Sequence, residues 1–171
     1  MELLIVRHAI AFERDQKRWA DDGERPLSPR GIARARRAAA GLRRLVGPPV
    51  AVLASPLART RQTADVLTRE AGWPAASVTP LLLPGSPAAP LLALIARTRH
   101  ARVALVGHEP DLGRLLAACL SGSGARPAYE LRKMGAALVS FAGAPRAGQG
   151  TLTWLLPPRL LRAARRLPRR G

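Results

Sequence analysis

The sequence predicts an α/β fold, a three-layer sandwich in which a largely parallel sheet of about six strands carries helices on both faces. Three observations predict it. Short apolar runs alternate with amphipathic stretches of helical period along most of the chain. Several of the runs are uninterrupted by polar residues, the pattern of strands buried on both faces. Ser-Pro and Pro-Asp pairs follow the runs and supply helix starts. At 171 residues the chain has room for a single domain, residues 1–171, with a basic tail over about 159–171.

Leu3 to Val6 is the first strand and ends on Arg7-His8-Ala9. Ligands of open parallel sheets bind outside the carboxyl ends of the strands, so Arg7 and His8 are expected in that crevice. Ile10 to Leu27 is polar and of mixed charge, with Asp21-Asp22-Gly23 as turn chemistry, and reads as a surface loop. Ser28-Pro29 starts a helix with Ile32, Ala35, Ala39, Leu42 and Leu45 or Val46 on its apolar face. Arg34, Arg36, Arg37, Arg43 and Arg44 read as its solvated face, and Gly47-Pro48-Pro49 ends it.

Val50 to Ala54 is the second strand, and Ser55-Pro56 is expected to begin a helix running to about Ala71 with Arg59 in its first turn. Val78 to Leu83 reads as a short strand. Ser86-Pro87 opens a helix with Leu91, Leu92, Leu94 and Ile95 in the core. Arg102 to Val106 is a fourth strand, delivering Gly107-His108-Glu109-Pro110-Asp111, and a helix over Leu112 to Leu120 follows. Ser121 to Met134 is rich in small residues and reads as a loop. Ala136 to Phe141 and Thr151 to Leu156 read as an antiparallel pair, and Arg159 to Gly171 as a terminal helix or frayed end.

The net charge of +17 would suit a phosphate backbone. Nearly all of it is arginine, however, with only Lys17 and Lys133 as lysines, and it is spread over several segments with few aromatics. No base-reading module is visible, so the chain is not expected to bind nucleic acid. No apolar run approaches the roughly 18–20 residues of a membrane span, and Arg7 interrupts the first one too early for a signal peptide, so a cytoplasmic protein without membrane attachment is expected. Cys119 lies in an apolar run and reads as a buried structural thiol; a lone cysteine forms no internal disulfide.

Arg7, His8, Arg59 and His108 all fall at or just after strand ends. Arginine in the first turn of a helix is electrostatically misplaced unless an anion compensates it, and the guanidinium fork matches phosphate oxygens in shape and charge. Two histidines, two arginines and nearby helix N-termini therefore make an anion site that contains a nucleophile. Arginines beside the histidines would repel a metal ion, and no carboxylate cluster completes a coordination shell. His100 stands alone and reads as an ordinary polar residue.

Leu4-Ile5-Val6-Arg7-His8-Ala9, Ser55-Pro56-Leu57-Ala58-Arg59-Thr60-Arg61-Gln62-Thr63 and Val106-Gly107-His108-Glu109-Pro110 resemble the three signatures of the histidine phosphatase superfamily, whose fold is phosphoglycerate mutase-like. Ala9 replaces the more familiar glycine. The short chain, Arg25-Pro26-Leu27-Ser28-Pro29-Arg30-Gly31 and the closing Thr151-Leu152-Thr153-Trp154 are similar to the SixA branch of phosphohistidine phosphatases. The resemblance implies that His8 takes the phosphoryl group and yields it to water, that Arg7, Arg59 and His108 bind its oxygens, and that neither metal nor organic cofactor takes part.

Many relatives carry an acid beyond the third strand to protonate a departing alkoxide, yet Pro80 to Gly85 contains none. Glu109, Glu13 and Asp22 are candidates for that role, Glu109 fitting equally a carboxylate that favours the next helix N-terminus. Imidazole, with a reference pKa near 6.5, leaves phosphorus far more easily than an alkoxide, so phosphohistidine suits a site without the acid. Short loops leave the crevice open to a phosphorylated protein, such as a histidine phosphotransfer domain or a phosphocarrier protein, acted on by a monomer. The alternatives are a phosphatase for a sugar phosphate or nucleotide using the same residues, and a non-catalytic phosphate- or nucleic-acid-binding module.

Overall fold

Leu3, Leu4, Ile5 and Val6 are fully buried because their strand lies inside a sheet covered on both faces. Leu4 and Val6 join one core, with Ala35, Leu42, Leu67 and Leu161. Leu3 and Ile5 point the other way into a second core, with Leu91, Ile95, Leu112 and Leu116. The alternation of a strand thus feeds both layers of the sandwich. The computed structural model describes residues 1–122 and 130–168.

The strands are β1 (Glu2–Arg7), β2 (Ala51–Ala54), β3 (Ala76–Val78), β4 (Arg102–Gly107), β5 (Ala136–Ser140) and β6 (Thr151–Leu156), in the order β3-β2-β4-β1-β5-β6. The first four in that order run parallel; β5 is antiparallel to β1, and β6 to β5. The sheet is therefore mostly parallel with an antiparallel edge, and the fold is the expected α/β sandwich of phosphoglycerate mutase type. Helices α1 (Pro29–Leu45), α2 (Ala58–Ala71) and α5 (Pro158–Ala164) serve the first core; α3 (Ala88–Thr98) and α4 (Asp111–Ser121) serve the second.

The start of α1 follows from its sequence. The Ser28 side chain accepts from the Gly31 N–H, and Pro29 occupies the first turn, where its missing N–H is no loss. Gly41 lets α5 cross at close range: a Cβ there would lie 1.7 Å from the Leu161 carbonyl oxygen. The part of the basic tail over Pro158–Ala164 is thus a docked helix, with Leu161 fully buried; residues 169–171 lie outside the described residues, as do 123–129 of the expected loop.

Four local expectations need correction. Helix α2 begins at Ala58 after Leu57, not at Ser55-Pro56. The Ser55 N–H is still bonded to the Val106 carbonyl at the end of the sheet, so the chain has not yet turned there. Strand β3 is Ala76–Val78, and Pro80–Leu82 is a 3-10 turn, because Pro80 has no N–H to donate and the Thr79 side chain caps the turn. Leu94 is exposed, since Leu91, Leu92 and Ile95 occupy the buried face of α3. Residues 10–27 are not simply a surface loop: Ala11 bridges Leu27, Asp22–Glu24 form a 3-10 turn, and Ala11, Arg25 and Leu27 are buried.

Candidate active site

Strands β1 and β4 are parallel neighbours with Arg7 opposite Gly107. The residues that follow, His8 and His108, therefore emerge side by side at the carboxyl ends of the two central strands, with ring centroids 5.2 Å apart. The His8 N–H donates to the Gly107 carbonyl at 3.0 Å, and the Met134 N–H reaches the Arg7 and His8 carbonyls at 3.1 and 3.2 Å. Strand β2, on the other side of β4, supplies Ser55, whose Oγ lies 3.0 Å from His108 Nε2. Arg59 follows in the first turn of α2 and is 4% exposed.

The tautomer of His8 follows from one contact. Its Nδ1 lies 2.7 Å from the Ala9 carbonyl oxygen, and a carbonyl only accepts, so Nδ1 carries the hydrogen. The His8 pKa is pushed down to about 3, mainly by burial, with His108, Arg59 and Arg7 acting in the same direction and the Ala9 carbonyl opposing them. His8 is then neutral at ordinary pH, with its lone pair on Nε2. Burial, with Arg59 and Arg7, likewise lowers His108 to about 4.

Each arginine is anchored by part of its fork. Arg7 Nη1 donates to Glu130 Oε1 at 2.8 Å and to the Leu131 carbonyl at 2.7 Å. Arg59 Nη1 donates to the Asp22 carbonyl at 2.9 Å and lies 3.3 Å from Asp22 Oδ2. Both Nε–H groups are buried and have no partner among the described residues. Buried cationic donors without acceptors are costly, and the oxygens of a bound anion would satisfy them.

The structure brings Arg7, His8, Arg59 and His108 together and leaves Arg61 and Arg69 exposed. Glu109 is held in place: one carboxylate oxygen accepts from the Leu131 N–H at 2.8 Å, the other from the Gly113 N–H at 3.3 Å, while burial raises its pKa. Asp22 accepts from Arg25 Nε at 2.7 Å, and that bond holds its carboxyl below the usual range. It is therefore an ionised partner of Arg25 and Arg59 and a poor proton donor. Glu13 is exposed. Among the described residues, no group of three or more His, Cys, Asp or Glu comes together to hold a metal ion, and no helix is long and apolar enough to cross a membrane.

Sequence reasoning missed four supports, the first being Glu130, which anchors Arg7 from a segment read only as loop. The Thr63 hydroxyl accepts from the Ala9 N–H at 3.0 Å and donates to the Arg59 carbonyl at 2.6 Å, tying β1 to α2. Its place four residues after Arg59 on one helix was a usable signal. Ser55, read as a helix cap, instead faces His108. Asp22 reaches Arg59 from an irregular segment with no periodicity to announce it.

A histidine held neutral by burial thus stands beside a second histidine and two arginines at the carboxyl ends of parallel strands. The chain belongs to the histidine phosphatase superfamily, whose branch 1 model matches residues 3–82. It is similar to the protein histidine phosphatase SixA solved with tungstate, at 28% identity over 94% of this chain and 99% of that one, with a TM-score of 0.80. A structure from Agrobacterium tumefaciens assigned as a phosphohistidine phosphatase SixA gives 26% identity over 92% and 97%, with a TM-score of 0.73. An uncharacterized protein of Picosynechococcus sp. is 39% identical over 116 residues, 66% of this chain and 69% of that one. A phosphoserine phosphatase of Entamoeba histolytica, 16% identical over 92% and 98% with a TM-score of 0.66, shares the fold alone.

Proposed function

We propose that the protein removes the phosphoryl group from a phosphohistidine side chain on a partner protein through a covalent intermediate on His8. The observation that carries this reading is the geometry at His8: Nδ1 lies 2.7 Å from the Ala9 carbonyl oxygen, which leaves the lone pair on Nε2, beside two arginines whose buried Nε–H groups have no partner among the described residues. His8 Nε2 attacks phosphorus as the P–N bond of the substrate breaks, and a substrate imidazole protonated on its other nitrogen leaves neutral. Phosphorylated on Nε2 and still hydrogen-bearing on Nδ1, the His8 ring is cationic, and the Ala9 carbonyl accepts from it. Water then attacks phosphorus as the His8 Nε2–P bond breaks; one water hydrogen stays on the phosphate, the other goes to solvent, and neutral His8 returns. Arg7, Arg59 and His108 hold the oxygens in both steps.

Three carboxylates near the pocket are already engaged, Asp22 and Glu130 by arginines and Glu109 by backbone N–H groups. That supports a leaving group needing no acid. One observation favours a second reading: the raised pKa of Glu109 suits a proton donor to an alkoxide, hence a small-molecule phosphate ester as substrate.

The test is to incubate the enzyme with protein labelled at phosphohistidine and quench rapidly. Acid-labile label on His8 is expected, with turnover well above that of phosphate esters of sugars or nucleotides. Undiminished turnover in His8→Ala would overturn the mechanism; faster ester hydrolysis, abolished in Glu109→Gln, would select the second reading.

A further inference from the structure

Beside the site, but outside it, lies a recess of about 450 Å³ between the start of α1, the segment leading into β5 and helix α5. Arg34, Arg132, Lys133, Arg159 and Arg162 line it, and among the described residues no acidic side chain does. None of the five side chains makes an ion pair among the described residues. Arg34 and Arg162 are half-buried, and burial together with Arg34 and Arg37 disfavours the charged form of Arg162. Like charges gathered in a concavity without counterions repel one another, and a negative ligand is what relieves them.

The size and charge density of the recess select the ligand. Its volume falls within the range of small-molecule sites, about 300–1,000 Å³, but its lining is cationic where such sites are usually apolar. A peptide brings one carboxylate per acidic residue and must also fit its backbone. A chain of phosphoryl groups carries a charge on every unit in a compact body, with oxygens that match the guanidinium fork. We propose that this recess is a second anion site, distinct from the catalytic pocket, that binds a compact oligophosphate, either a free chain or the tail of a nucleotide.

The experiment is calorimetric titration of the full chain with tripolyphosphate, adenosine triphosphate, adenosine and an oligoglutamate peptide at near-physiological salt. Arg34→Gln/Arg162→Gln, which keeps much of the aliphatic stems, is expected to weaken tripolyphosphate binding by roughly tenfold or more, the scale of lost charge-assisted contacts. Its hydrolysis of a small substrate should stay unchanged. Arg43→Gln/Arg44→Gln, the same charge loss at the far end of α1, should bind as the wild type does. A melting temperature raised by Arg34→Gln/Arg162→Gln in the absence of ligand supports relieved repulsion; a lowered one assigns the arginines to stability and overturns the proposal. Triphosphate binding equal to tripolyphosphate identifies the phosphate chain as the recognised part, and tighter binding identifies a nucleotide. Equal loss in the control pair, loss in Arg59→Ala instead, or tighter binding of the peptide would each overturn the site.

Discussion

Lowering the pH from about 7.5 to about 5 is expected to destabilise this protein through two histidines, with the sign set by their depressed native pKa values. In the unfolded chain each imidazole titrates near 6.5; in the native protein His8 is pushed down to about 3 and His108 to about 4. Above 6.5 both states are neutral and the pair contributes nothing. As pH falls below 6.5, the unfolded chain binds protons that the native chain refuses, so stability declines until the native values are reached. At pH 5 each histidine costs about 2 kcal/mol and the pair about 4 kcal/mol, a large share of the typical 5–15 kcal/mol of a domain. Glu109, whose pKa is raised by burial, works in the opposite direction.

Urea denaturation at the two pH values measures the loss, and ring C–H resonances of His8 and His108 should titrate well below 6.5. In His8→Gln/His108→Gln most of the pH dependence over this window should vanish, since His100 and the carboxylates are common to both proteins. An equal loss in the double variant, or no loss in the wild type, would refute the assignment of buried neutral imidazoles and with it the tautomer argument for His8 Nε2.

Gly41→Ala places a methyl group against the Leu161 carbonyl, so α5 must move off α1; a loss of ~1–3 kcal/mol in denaturant unfolding is expected, with α5 amides losing exchange protection first. Thr63→Val is nearly isosteric but strands the Ala9 N–H and the Arg59 carbonyl contact, costing about 1–3 kcal/mol by denaturation and lowering kcat, because the segments carrying His8 and Arg59 both loosen. Ser55→Ala removes the partner of His108 Nε2; about 1 kcal/mol of lost orientation predicts a roughly fivefold fall in kcat by steady-state assay, without a matching loss of stability.

How much of this was legible in the sequence depends on whether the cause is local or a matter of pairing. Apolar runs ending in Arg7-His8 and Gly107-His108 announce strand ends by local pattern, and parallel sheets put functional groups there, so both histidines were readable as site residues. That they stand 5.2 Å apart depends on β1 and β4 being neighbours in register, which nearly a hundred intervening residues do not encode in any period. Arg59 was legible because a cation in a first helical turn is unfavourable without an anion, an argument that survives the later start of α2.

Ser55 shows the opposite failure. Ser-Pro has the chemistry of a helix start, but the backbone hydrogen bond to Val106 keeps Ser55 in the sheet layer, and its hydroxyl serves His108 instead. Asp22 and the five cations of the recess fail for a third reason. Their partners are set by how irregular segments and α5 fold back onto the sheet, so their chemistry was visible residue by residue while their convergence was not. A charge read from the sequence as a solvated face, as at Arg34, therefore acquires meaning only when a second element such as α5 brings Arg162 opposite it.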